Sequence, residues 1–245
     1  MAWTILLRRE VGARNSSSPC HSEPYSGTVF CRDWFGTTLE DLKIAISTAW
    51  FQNTTTVDIS HSDITILTSF IDERMRSDVE GLAVTNSGLR RIESEAFANL
   101  EKLRRLDLSG NALREIPEFV NNFPLLEELV FADNFATSIQ GLMTFKGLLK
   151  LRHLNLAFNR IGQLGLFGKD AHYLLPLDKF NILPLRMSLQ ELSLRGNGLR
   201  FFPEQLLESF PRLRHLDISF NKLSGKHICI ILSPTINLIR RMPNS

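Results

Sequence analysis

The stretch LRRLDLSGNAL, from Leu103 to Leu113, decides the fold because it carries two structural signals in one short segment. Leu106 and Leu108 flank the single polar residue Asp107, which is the alternation expected of a strand that buries one face. Asn111 follows where the chain would turn away from that strand, and its amide can satisfy backbone groups of an adjacent turn. The stretch therefore predicts a short strand followed by a turn held by a buried asparagine.

The same pattern, LxxLxLxxNxL, returns along the chain. Four further copies, LEELVFADNFA, LRHLNLAFNRI, LQELSLRGNGL and LRHLDISFNKL, begin at Leu126, Leu151, Leu189 and Leu213. Two weaker copies, TTTVDISHSDI and VEGLAVTNSGL, have a serine in place of the asparagine, at Ser62 and Ser87. Successive copies are 23 to 25 residues apart, with one gap of 38, counted at Val57, Leu82, Leu106, Leu129, Leu154, Leu192 and Leu216. A period near 24 residues indicates a solenoid.

These motifs resemble the leucine-rich repeat proteins, and the resemblance spans residues 53–223. It implies an α/β, strand-rich solenoid: a curved right-handed coil of about seven repeats with short parallel strands on the concave face. One repeat cannot cover its own apolar face, so stacked neighbours have to supply the core. The 24-residue repeat is similar to the extracellular members of the family. The phrases VTNSGLRRIESEAFANL and LRRLDLSGNALREIP look most like invertebrate members made only of repeats.

Two sets of residues are expected inside the coil. A ladder of side-chain amides is predicted at Asn111, Asn134, Asn159, Asn197 and Asn221, and it should be weaker where the shorter Ser62 and Ser87 replace it. An apolar spine behind the sheet is predicted from phenylalanines at similar offsets, namely Phe97, Phe119, Phe123, Phe145 and Phe210. The alternative for these rings is an exposed aromatic platform for a ligand.

The ends of the chain depart from the repeat. Residues 1–19 are expected to be unstructured, residues 20–52 to form an amino-terminal cap with Leu39, Leu42, Ile44 and Ile46 buried, and residues 224–245 to be an atypical tail, interpreted as a truncated cap. An insertion near residues 162–186 is either a binding loop or a divergent turn on the convex side. Cys20 and Cys31 form either a disulfide or two free thiols of a reducing compartment. The usual cap of extracellular family members has four cysteines, whereas this one has two.

Sequence features that bear on the cellular compartment point in two directions. Asn15 and Asn53 are candidate glycosylation sites. The apolar stretch at residues 2–7 is shorter than a normal signal-peptide core, and no run approaches the ~20 apolar residues of a membrane span. We expect an extracellular or cell-surface location, with a cytoplasmic one as the alternative.

The sequence gives little support for catalysis, for a metal or cofactor site, or for a charged polymer as the partner. Lys plus Arg number 28 against 26 Asp plus Glu, and no long run of one sign suggests nucleic acid or an anionic membrane as the partner. No catalytic, cofactor-binding or small-molecule motif is recognised. His153, Glu191 and His215 share one column of the repeat, but about 10 Å between the two histidines is too far for a shared metal ion. The sequence therefore favours a protein that is not an enzyme and has no cofactor or metal.

The outward positions of the strands are the remaining candidates. Two rows and an adjacent rim are predicted to face a protein partner, with mixed signs and sizes that suit a folded protein. In the five copies that carry an asparagine, the candidate contact residues are Arg105, Asp107, Glu128, Val130, His153, Asn155, Phe158, Glu191, Ser193, Arg195, His215, Asp217 and Phe220. For the two rim phenylalanines, packing on the neighbouring turn is the alternative. The predicted function is non-catalytic protein–protein recognition at the cell surface or in the extracellular matrix, and the alternative is an intracellular scaffold or regulatory subunit.

Overall fold

The computed structural model describes residues 19–23, 25–36, 38–76, 78–137, 147–164, 184–200, 210–223 and 237–239. Its strands in chain order are β1 (Cys20–Glu23), β2 (Thr28–Arg32), β3 (Thr56–Ser60), β4 (Ile66–Leu67), β5 (Gly81–Thr85), β6 (Arg91–Ile92), β7 (Arg105–Asp107), β8 (Glu128–Val130), β9 (His153–Asn155), β10 (Glu191–Ser193), β11 (His215–Asp217) and β12 (Asn237–Ile239). The helices are α1 (Leu39–Ala49) and α2 (Glu73–Arg76), and short 3₁₀ turns lie at Ser94–Phe97, Glu118–Asn122, Ile161–Leu164 and Pro184–Met187.

Ten of these strands form one sheet in the order β1-β2-β3-β5-β7-β8-β9-β10-β11-β12. β1 and β2 are antiparallel, and every later neighbour pairs in parallel. β4 and β6 form a second, two-stranded parallel sheet. Each of the seven sequence copies contributes one strand to the large sheet, so strands that are about two dozen residues apart become direct neighbours.

The repeat leucines fill one continuous core. Leu106, Leu154 and Leu216 are buried in the same cluster, whereas Asp107 and Asn155, one residue further along their strands, are partly exposed. The stretch from Leu103 to Leu113 predicts this alternation of inward and outward side chains. The curved leucine-rich repeat coil is confirmed.

The asparagines hold successive coils together. In each of the five asparagine coils the amide Oδ1 accepts a backbone N–H of the preceding coil, and Nδ2 donates to a backbone carbonyl of that coil. Asn111 accepts from both Ser87 and Leu89 at 3.1 Å and donates to Val84 at 2.7 Å. Ser62 has a shorter reach: its hydroxyl accepts the Trp34 N–H and donates to its own strand. A serine rung therefore makes fewer contacts between coils than an asparagine rung.

Phenylalanines pack behind the sheet. Phe97, Phe123 and Phe210 are buried, and Phe119 is half-buried with its ring centroid 5.0 Å from that of Phe97. Phe70, which the recurring offsets did not indicate, is also fully buried, and its ring centroid lies 6.3 Å from that of Phe97. These rings occupy the core rather than an exposed platform. Phe145 lies outside the described residues.

The segment before the repeats contains a hairpin and a helix. A disulfide joins Cys20 on β1 to Cys31 on β2, which are directly paired. Helix α1 begins after Thr38, whose side chain accepts the Asp41 N–H, and it buries Leu42, Ala45, Ile46 and Ala49. This helical spacing corrects the expectation for Ile44, whose side chain is 58% exposed because it lies on the opposite side of the helix from Leu42.

Two sequence predictions concern residues that are largely outside the described ones. The inserted residues 165–183 are among these, as are most of residues 224–245 and all of 1–18. Within the tail, strand β12 is described, and it extends the sheet by pairing in parallel with β11. The sequence pattern did not indicate this strand.

Candidate binding surface

The outward side of the large sheet carries two neighbouring rows of side chains in strict register. Arg105, Glu128, His153, Glu191 and His215 are paired in sequence across β7 to β11. The central row runs parallel to it and contains Asp107, Val130, Asn155, Ser193 and Asp217 on the same strands. The sequence-predicted residues of both rows therefore lie on one continuous surface.

Three members of the central row bend back to their own backbone. The Asp107 Oδ1 accepts the N–H of Ser109 at 2.8 Å, and the equivalent oxygens of Asn155 and Asp217 accept from Ala157 and Ser219. These bonds satisfy the backbone where the strand turns away, which is an ordinary structural use of Asp and Asn. One carboxylate oxygen of Asp107 thus has a structural role, so replacing this residue would disturb the turn as well as the surface.

The other row contains a carboxylate between two imidazoles. The Glu191 Oε2 lies 3.1 Å from the Nδ1 of His153, and its Oε1 lies 3.4 Å from the Nδ1 of His215. All three side chains are about half exposed. They line an open groove of about 350 Å³ over β8 to β11. Among the described residues, no group of His, Cys, Asp and Glu side chains has the geometry to hold a metal ion.

Arg195 joins the rows to the predicted rim. Its guanidinium carbon lies 4.2 Å from the ring centroid of Phe220 and 5.5 Å from that of Phe158, and its Nη1 lies 3.9 Å from Asp217. The ring of Phe158 also covers Gly196, where a Cβ would approach the ring to 2.6 Å. The rings therefore pack on the neighbouring turn, and they still remain 48% and 45% exposed.

The two rim phenylalanines are unusual side chains for the backbone conformation of their position. The position before each ladder residue adopts a positive φ in all seven coils: it is 53° at Phe158 and 57° at Phe220, and His61, Asn86, Gly110, Asp133 and Gly196 share it. Gly and Asn populate this left-handed region readily, whereas a residue with a bulky side chain rarely does. The sequence pattern does not reveal this strain because φ is not visible in the spacing of leucines.

Arg195 is also unusual for its place in the repeat. The residue two positions before the ladder residue is small in the other six coils, namely Ser60, Thr85, Ser109, Ala132, Ala157 and Ser219. The stack of Arg195 with two rings could have been suspected from that comparison.

The candidate sites outside the sheet are less informative. Asn53 is exposed in a turn, while Asn15 and Cys229 lie outside the described residues. Within the described ranges, no helix is long and apolar enough to cross a membrane.

Comparison with known proteins agrees with this architecture. Models of the leucine-rich repeat match residues 77–134, 148–168 and 212–233. Osteomodulin of Rattus norvegicus is 30% identical over 68% of this chain and 41% of its own length, and epiphycan of Gallus gallus is 32% identical over 62% of this chain and 53% of its own. The crystal structure of human trophoblast glycoprotein, Wnt-activated inhibitory factor 1, superposes with a TM-score of 0.68 at 22% identity, covering 94% of this chain and 81% of that one. The chain thus spans about half or less of the two curated relatives.

Proposed function

Because this chain is a leucine-rich repeat protein of the extracellular type, we propose that it captures a protein partner through the outward side of its sheet. The chain is a non-catalytic recognition module. The proposed contact surface combines the two strand rows with the stack of Phe158, Arg195 and Phe220. Its place would be the cell surface or the extracellular matrix.

The stack of Arg195 between two phenylalanines is the observation that supports this proposal. Residues held in a rarely populated backbone region cost of order 1 to 3 kcal/mol each and are concentrated at functional sites. Phe158 and Phe220 are in that region and expose nearly half of their rings. Aromatic rings and arginine are the residue types that contribute most to binding energy in protein interfaces. A folding role alone would be served with less strain by the glycine found in the same position at Gly110 and Gly196.

The charges of the neighbouring row favour a folded protein as the partner. The row contains one cation, Arg105, and two carboxylates, Glu128 and Glu191, with an imidazole between the carboxylates and another beside Glu191. Charges of both signs at a strand spacing of about 5 Å give register and specificity rather than attraction for a polymer of one sign. Nucleic acid and small molecules are therefore not the proposed ligands.

An intracellular scaffold or regulatory subunit is the second candidate. The paired Cys20 and Cys31 and the sequence relatives both favour the extracellular class, since disulfides persist in oxidising compartments. A cytosolic chain would keep both thiols free.

The test begins with the full chain, expressed with a secretion signal and screened as a multivalent probe against an array of extracellular domains. For a partner found in this way, we expect the double variant F158A/F220A and the single variant R195A each to weaken binding by about 30-fold or more, the effect of losing about 2 kcal/mol at a binding hot spot. Phe51→Ala is the matched control, because Phe51 is 64% exposed and lies in the turn after α1.

A stability measurement separates binding from folding in this test. The variant F158G/F220G removes the strained side chains, so its melting temperature should stay within a few degrees of the parent while binding is lost. A partner that binds all of these variants as tightly as the parent would contradict the proposal.

A further inference from the structure

A second concave region lies at the edge of the coil, beyond the ladder and away from the two strand rows. It is an open groove of about 1170 Å³, and four arginines line it: Arg90, Arg91, Arg114 and Arg160. Glu115 is the single carboxylate in the lining. The chain as a whole is nearly balanced in charge, so this local excess of cations is not a consequence of composition.

The repeat itself places the cations together. Arg90 and Arg114 both follow the last leucine of the motif, in consecutive coils and 24 residues apart. The Arg90 backbone is fixed by its N–H bond to the Thr65 carbonyl at 2.8 Å, and its side chain is exposed. Coils are stacked at about the spacing of neighbouring strands, roughly 5 Å. Arg90 and Arg114 therefore lie in neighbouring coils along the axis of the solenoid.

Among the described residues, only Arg91 of these four arginines has a counter-ion. Arg91 forms an ion pair with Glu93 at 3.0 Å, and Arg160 stacks on the ring of Phe135 at 4.4 Å. In the part of the chain that the structure describes, the guanidinium groups of Arg90 and Arg114 have no carboxylate within ion-pair distance. A bound anion would supply the bidentate hydrogen bonds that these guanidinium groups leave unused.

The lining of the groove also contains apolar side chains. Ile92, Pro117 and Phe135, which is 39% exposed, are called its floor. Apolar residues beside four arginines suit a ligand that carries both carboxylates and apolar side chains. A sulfated polysaccharide provides the anions but no apolar side chain for the floor.

We propose that this groove binds an extended acidic peptide segment of a partner protein, with its carboxylates on the arginines and its apolar side chains on the floor. An extended chain rises about 3.3 Å per residue, so about six residues would cover the coils from Arg90 to Arg160. Alternate side chains of such a segment point in opposite directions, so acidic and apolar residues separate onto the two sides of the groove. The site is independent of the strand rows.

The test uses a fluorescein-labelled peptide of about ten residues in which glutamate and leucine alternate, titrated with the full chain in fluorescence anisotropy. We expect R90Q/R114Q to weaken binding about tenfold or more. The matched control is K150Q/R212Q, which removes the same net charge from two exposed positions that each precede the first leucine of a motif. This control should change the affinity less than twofold.

Further probes decide the class of ligand. Replacing glutamate by glutamine in the peptide should abolish binding, and replacing leucine by serine should weaken it about fivefold or more. Equal weakening by R90Q/R114Q and K150Q/R212Q would overturn the site, since it would reveal a general effect of net charge. A heparin-derived oligosaccharide that binds more tightly than the peptide, or a serine peptide that binds equally well, would overturn the assignment to an acidic and apolar peptide.

Discussion

The first two coils and the five that follow share one strand geometry but are held together by different chemistry. β3 and β5 pair over five residues, whereas β7 to β11 pair over three. In the first serine coil the Ile64 N–H donates to the backbone carbonyl of Ser87 at 2.9 Å, whereas in the second, which precedes an asparagine coil, the Leu89 N–H already donates to the Oδ1 of Asn111. In the asparagine coils the equivalent N–H, for example that of Leu113, donates to the amide Oδ1 of the next coil's asparagine.

This difference shows that a backbone carbonyl and a ladder side chain are alternative acceptors for the same backbone N–H of the turn. Longer main-chain pairing and a disulfide hairpin accompany the short serine. Short strands accompany the asparagine, whose amide has two donors and one acceptor to offer. Stability should therefore depend on ladder side chains in the later coils and on the hairpin in the earlier ones.

The largest expected effect comes from breaking an asparagine rung. Asn111→Ala leaves the buried N–H groups of Ser87 and Leu89 and the carbonyl of Val84 without their partner, and the cost should be about 3 to 5 kcal/mol. Ser62→Ala removes one N–H acceptor and should cost about 1 kcal/mol. Urea unfolding of both variants measures the difference.

A control for these two variants lies in the same coil as Asn111. Asn122 is exposed at the end of a 3₁₀ turn, so Asn122→Ala should change the free energy of unfolding by no more than about 0.5 kcal/mol. Equal losses of unfolding free energy for Asn111→Ala and Ser62→Ala would show that the serine coils and the asparagine coils are held in the same way, which would contradict the comparison.

The next effect concerns the hairpin. Cys20→Ser combined with Cys31→Ser should lower the free energy of unfolding by about 3 kcal/mol, because the disulfide closes a short loop with a sequence separation of 11. Loss of hydrogen-exchange protection should be confined to β1, β2 and β3, whose backbone pairing replaces the ladder. Cys229→Ser controls for the loss of a thiol.

Uniform loss of hydrogen-exchange protection along the whole solenoid would contradict the difference between the serine coils and the asparagine coils. Thiol titration of the secreted parent protein belongs to the same experiment. Two reactive thiols at Cys20 and Cys31 would favour the intracellular alternative instead.

The sequence predicted the features that repeat and missed those that occur once. The leucine pattern predicted the inward residues and the outward rows because strand periodicity fixes which side faces the core. It could not predict that Ile44 is exposed, since that depends on a helix outside the repeat. The contacts of Arg195 with the rings of Phe158 and Phe220 occur at one position where a single coil departs from the others, so the leucine pattern does not contain them. The roles of the predicted surface residues remain predictions.

The smallest expected effect sharpens the comparison at a single position of the central row. Asp107 accepts an N–H two residues further along, as do Asn155 and Asp217 in their coils. Asp58 is the equivalent residue of the first serine coil, and no such bond to it is found within the described residues. Burial raises the pKa of the Asp58 carboxyl above its ordinary value, Asp107 contributes in the same direction, and Arg32 and His61 oppose it.

A raised pKa means that the folded state holds the Asp58 proton more tightly than the unfolded state does. The favourable contribution of the neutral carboxyl is therefore complete below the unfolded-state pKa near 4, and it is lost as the pH rises through the folded-state pKa. Asp58→Asn keeps the shape without the charge, so at neutral pH it should be more stable than the parent by about 0.5 kcal/mol, typical of a partly exposed position. Unfolding in urea from pH 3 to pH 8 should show this advantage vanish below about pH 4. An advantage that grows as the pH falls would mean that the ionised carboxylate stabilises the first coil, as its counterparts stabilise the later ones, and the two halves would then use this row in the same way.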